Sequence, residues 1–71
     1  MANQADKTTG YWDFYDFQTG KLLEKERRIS RTLVPSAGQL IVGIPGKPNA
    51  IIRTFKFKGI KDRLPCYEVY V

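Results

Sequence analysis

The chain has 71 residues, 42% of them hydrophobic and 27% charged, with a formal net charge of +5. That length allows one core, because a domain of about 60 residues hides only about 60% of the surface its unfolded chain exposes, and the composition is globular rather than disordered. A lone Cys66 excludes an intramolecular disulfide, and the absence of histidine removes the usual zinc ligand sets and the commonest general base.

The charge is unevenly placed. Residues 1–26 hold five acids (Asp6, Asp13, Asp16, Glu24, Glu26) against Lys7, Lys21 and Lys25. From Arg27 to Arg63 there are nine bases (Arg27, Arg28, Arg31, Lys47, Arg53, Lys56, Lys58, Lys61, Arg63) against Asp62 alone. An acidic front and a basic middle point to nucleic acid, anionic surfaces or acidic protein partners; the plain alternative is a solvated face that keeps the chain soluble.

Residues 1–10 are polar and small and end in glycine, the pattern of a flexible tail. They contain no apolar signal segment, and the longest aliphatic run, Leu40-Ile41-Val42 with Ile44, is far short of the roughly 20 residues that span a bilayer. The expected location is the cytoplasm, or the host cytoplasm if the gene is viral, without membrane contact.

Residues 11–71 read as a single small β domain. Tyr11-Trp12-Asp13-Phe14-Tyr15-Asp16-Phe17 places five aromatics in seven positions, a β-favouring composition closed by the turn signal Gln18-Thr19-Gly20. Residues 21–31 carry both patterns: Leu22, Glu26 and Ile29 fall at helical spacing, whereas Leu23, Lys25, Arg27, Ile29 and Arg31 share a strand face. The short turn before them favours a hairpin partner; a helix here would make the domain α+β.

After Pro35-Ser36-Ala37-Gly38, the run Gln39–Ile44 reads as a strand buried on both faces at the centre of the core, because its apolar residues are continuous. Pro45–Asn49 reads as a rigid exposed loop. Ala50 to Ile60 reads as one long strand, with Ile51, Arg53, Phe55 and Phe57 on one face and lysines 56 and 58 on the other. Pro65 opens a last strand, Cys66 to Val71, expected at a sheet edge where it could pair with a partner or a second copy. The sum is an all-β fold, a small barrel or strongly bent antiparallel sheet of four or five strands.

Catalytic readings fail by absence. Cys66 has no imidazole to activate it. Asp13 and Asp16, three apart on a strand, face opposite ways. Gly38 to Lys47 imitates a phosphate loop only in its final Gly-Lys, with the wrong spacing and Pro48 where a Ser or Thr would bind magnesium. The expectation is a non-catalytic protein-interaction module without cofactor or metal, an accessory subunit or small inhibitor that docks through an aromatic strand, a sheet edge and a basic face. The candidate contacts are Trp12, Tyr15, Arg27, Arg31, Arg53, Lys56 and Lys58. The alternative is a basic β domain that binds nucleic acid through phosphates, with exposed rings stacking on bases and no base-specific readout.

Overall fold

The computed structural model describes residues 7–30 and 34–71, and among these every regular element is a strand. The elements are β1 (Thr8–Tyr15), β2 (Leu22–Ser30), β3 (Leu40–Ile44), β4 (Lys47–Ile51), β5 (Thr54–Lys61) and β6 (Leu64–Tyr70). The all-β expectation holds. Residues 21–31 do not take the helical alternative: Leu22–Ser30 pairs antiparallel with β1, from Leu22 opposite Tyr15 to Ser30 opposite Thr8. No described residue lies in a helix long and apolar enough to cross a membrane.

Four strands form one sheet in the order β2-β1-β6-β5, and β3-β4 forms a separate hairpin. β1 and β6 run parallel, Tyr11 opposite Cys66 through Tyr15 opposite Tyr70, so the sheet is mixed rather than wholly antiparallel. Gly10 permits the close approach of these strands, since a Cβ there would lie 2.9 Å from the Pro65 carbonyl oxygen. Thr8–Gly10, within the stretch read as a tail, belong to β1, and residues 1–6 lie outside the described residues.

β4 and β5 are one strand bent at Ile52-Arg53. Ile52 donates its backbone N–H to Gln39 (3.0 Å) and accepts from Gly38 N–H (2.8 Å), whereas Arg53 donates to Tyr70 on β6 (2.7 Å). The chain thus leaves the hairpin and joins the large sheet within one residue. The long strand expected over Ala50–Ile60 is broken here, and with β4 and β5 counted together the architecture is a strongly bent sheet of five strands, open between β2 and β3. No barrel closes.

The hairpin covers one face of the sheet. Period-two alternation sends Trp12 and Phe14 to that face, where they meet Val69, Val71, Ile44, Ala50 and Ile52, with Leu23, Ile29, Ile41, Phe55 and Tyr67 packed around them. Trp12 lies edge-on to Phe14, centroids 6.0 Å apart. Two expectations fail. β3 is not buried on both faces: Ile44 is buried, but Leu40 and Val42 are 56% and 59% exposed, because a two-stranded hairpin has nothing on its outer side. β6 is not an edge: it lies between β1 and β5, and Val71 is buried in the core, so the last strand offers no backbone to a partner or a second copy.

Two tight turns set the registers. Pro45-Gly46, with Gly46 at φ +83°, joins β3 to β4 as a proline-led turn, shorter than the loop expected over 45–49. Asp62-Arg63 joins β5 to β6 with both residues left-handed, at φ +52° and +66°, the requirement of a type I′ hairpin. Asparagine or aspartate followed by glycine meets that requirement at lowest strain, and Arg63 has a Cβ to accommodate. Arg63→Gly is therefore expected to stabilise the fold by up to about 1 kcal/mol, a rise of several degrees in Tm by calorimetry; an unchanged or lower Tm would show that Arg63 makes a compensating contact.

Candidate interaction surface

The face of the sheet opposite the hairpin is ionic. Alternation turns Asp13 on β1, Glu68 on β6 and Lys56 and Lys58 on β5 to this side, and an irregularity in β2 brings Glu26 beside them. Lys58 Nζ lies 2.6 Å from Asp13 Oδ2, Lys61 Nζ 2.6 Å from Glu26 Oε1 and Lys56 Nζ 3.5 Å from Glu68 Oε1. Three lysines of one strand thus meet carboxylates on three different strands. Lys61 also sits 5.4 Å from the Tyr11 ring centroid.

Asp13 is the centre of this network. It is 3% exposed, and its second oxygen accepts the Glu26 backbone N–H at 2.7 Å. A buried carboxylate is tolerable only when paired and hydrogen-bonded. Glu26 reaches it by adopting φ +53°, the left-handed conformation of a bulge in β2. Their hydrogen bonds raise the Lys58 and Lys61 pKa values through Asp13 and Glu26 respectively, and lower that of Glu26 through Lys61. Asp16, bonded first by Lys47 and then by Thr19, is lowered to about 2.

The other accessible face belongs to the hairpin. Leu40, Val42 and Ile51 are 44–59% exposed on its outer side, with Leu40 directly opposite Ile51. Between β2 and β3 lies a groove of about 280 Å³ lined by Arg27–Ser30, Gln39–Val42, Trp12 and Phe14. None of the lining residues is acidic. Arg27 lies at one end, its guanidinium 6.0 Å from the Phe14 centroid and 3.4 Å from where a Gly43 Cβ would be, facing Glu24 at 3.5 Å without a hydrogen bond.

The residues singled out from sequence do not converge. Trp12 is 1% exposed and its ring is core, because β1 turns it toward the hairpin, so it is no exposed anchor and only underlies the β2–β3 groove. Tyr15 is half-buried and stacked on Tyr70, centroids 5.2 Å apart. Lys56 and Lys58 belong to the ionic face. Arg27 is on the hairpin side, and exposed Arg53 lies at the bend, 5.5 Å from the Phe17 centroid. Arg31 is outside the described residues. Sequence reasoning missed Leu40, Val42 and Ile51: the period-two spacing of Leu40 and Val42 was the available signal, hidden by Ile41 and Ile44 between and after them.

No protein-family model, curated protein or solved structure matches this chain. Among the described residues, no group of His, Cys, Asp or Glu side chains is placed to hold a metal.

Removing the Asp13 carboxylate leaves the Glu26 amide without its acceptor and Lys58 without its counterion. Asp13→Ala is expected to cost about 2–3 kcal/mol in urea unfolding, and Asp13→Asn, which keeps an acceptor, about half of that; equal losses would show that shape rather than hydrogen bonding sets the site. The pairs also fix a pH profile. Asp16 and Glu26 are lowered, so their contribution is complete above the ordinary carboxylate range and lost as pH falls through their lowered values, about 2 for Asp16. Lys58 and Lys61 are raised above 10.5, so theirs is complete below that value and lost above it. Unfolding free energy should be flat from about pH 5 to 10 and fall on both sides; a maximum confined to one end would refute the assignment.

Proposed function

We propose that this chain is a non-catalytic protein-interaction module that docks through the outer face of the β3-β4 hairpin. The observation that carries the reading is the aliphatic stripe Leu40, Val42 and Ile51, 44–59% exposed on a hairpin with no covering layer. Isolated exposed apolar residues are ordinary, but adjoining ones on a regular element mark interaction sites. Cations flank the stripe, with Arg27 and Arg28 on the β2 side and Arg53 at the bend. A second copy docked face to face would bring arginines together, so the favoured occupant is a different protein with an apolar surface and an acidic rim.

Nucleic acid is the weaker reading. It draws on the +5 net charge, yet Lys56, Lys58 and Lys61, three of the seven lysines on the chain, are neutralised by carboxylates. A phosphate-binding surface gains affinity by releasing counterions from nucleic acid with free cations, and these three would first have to leave their acids.

The test is a photo-crosslinking amino acid at Val42 and, separately, at exposed Lys25, used in a native lysate of the source organism. One protein crosslinked in one-to-one stoichiometry at Val42 but not at Lys25, with the complex lost on Leu40→Lys, is the expected outcome. Nucleic-acid adducts, or the same adducts at both positions, would overturn the reading.

A further inference from the structure

We propose that the groove between β2 and β3 binds an extended acidic peptide segment as an added strand on the free edge of β3. The inference rests on the protein-docking reading above and names the mode and chemistry of the partner.

The backbone of β3 supplies the first argument. Ile44 pairs with Lys47, Val42 with Asn49 and Leu40 with Ile51. Pro48 has no N–H, so the ladder cannot bond at its position opposite Gly43, and the bonded pairs are Ile44 with Lys47 and, by alternation, Val42 with Asn49. The N–H and C=O of Ile41 and Gly43 therefore point away from β4, toward the groove. No strand of the described structure pairs with that edge, nor with the outer edge of β2 across from it.

The side chains supply the second. The Trp12 indole forms part of the groove floor, and its Nε1 is buried with no acceptor; Arg27 Nη1, also buried, has Glu24 Oε1 as an ion-pair partner at 3.5 Å but no hydrogen bond. An unsatisfied buried donor costs about 1–3 kcal/mol, which an acceptor recovers once the side chain turns toward it. Arg28, exposed and without an ion pair among the described residues, is the free cation of the groove, and no acid lines it, Glu24 lying beyond Arg27. A ligand must accordingly bring acceptors and negative charge. A strand with acidic side chains offers both, backbone carbonyls for the edge amides and carboxylates for the arginines, while its apolar residues meet Ile29, Leu40 and Ile41. The free strand edge favours peptide over nucleic-acid bases, and Trp12 and Phe14, both fully buried, leave no open ring face on which a base could stack.

The probe is the peptide acetyl-Glu-Val-Glu-Val-Glu-Val-amide, titrated into the ¹⁵N-labelled chain at low salt, with its lysine-for-glutamate counterpart and a dT10 oligonucleotide as comparators. The chain has one tryptophan, so the Trp12 indole N–H gives a single resolved signal. The expected result is saturable shifts at the Ile41 and Gly43 amides and a downfield move of the Trp12 indole proton, with no response to the lysine peptide. Arg28→Glu, a change at an exposed position, should weaken the acidic peptide by about tenfold or more. Shifts absent from these three signals, equal response to both peptides, an unchanged affinity in Arg28→Glu, or dT10 acting at the same signals more strongly than the peptide would each overturn the proposal. A failed titration alongside a specific Val42 adduct would leave hairpin docking standing and remove only the strand-addition mode.

Discussion

The sheet depends on how one carboxylate is kept inside it. Asp13 sits on a central strand at 3% exposure and takes its two partners from the two outer strands, an amide from the β2 bulge and an ammonium from β5 across β6. Any other arrangement leaves a buried charge uncompensated, at a cost of several kcal/mol. The left-handed Glu26, the irregular register after Trp12 and the position of Lys58 all serve that one requirement. Flat pairing of β1 with β2 would withdraw the amide, and a shift of β5 by one residue would send Lys58 to the hairpin side.

That requirement also determines where charge remains for function. The basic middle of the sequence invites a polyanion surface, but the fold turns its lysines toward the acids of the front half. Asp13 and Glu26, far from β5 in the sequence, neutralise Lys58 and Lys61, and Asp16 neutralises Lys47. Around the hairpin and at the bend the cations left without an ion pair among the described residues are Arg28 and Arg53, Arg27 being held by Glu24. Arginine is suited to carboxylate recognition and to partly desolvated sites, since its planar fork is weakly hydrated.

Strands whose sides differ in polarity were legible. β1, β5 and β6 alternate, and their facing residues follow from period two. The β2 segment was legible only in part, because Glu26 breaks its alternation and the bulge that explains the break is set by Asp13, a residue on another strand. β3 misled because a continuous apolar run implies burial on both faces only if something covers both, and coverage is a property of the whole fold. The parallel pairing of β1 with β6 joins residues more than 50 apart, so no local pattern carries it; it is what moves Val71 from the expected edge to the core. Trp12 was read as a partner contact on composition, although its alternation with Asp13 already placed the two on opposite faces, and the burial of Asp13 left no choice about which face was ionic.

The four strands with an unpaired side are not equally protected, and the difference bears on function. β5 carries Lys56, Lys58 and Lys61 with an irregularity at Gly59, and β2 carries the Glu26 bulge; charge and bulges are the usual means of blocking edge-to-edge association. On β4, Pro48 removes the outward amide that its position would otherwise present. β3 has none of these. Leu40 to Ile44 contains no charge, no proline and no break in its pairing, only an arginine from β2 over the Gly43 end. A sequence that guards three edges and leaves the fourth apolar exposes itself to aggregation at that edge unless a specific partner occupies it. In the docking mode proposed above, the arginines beside the groove would supply the discrimination, repelling a second copy of the same cationic seam and admitting an acidic strand, so that the unguarded edge would be selective rather than merely sticky.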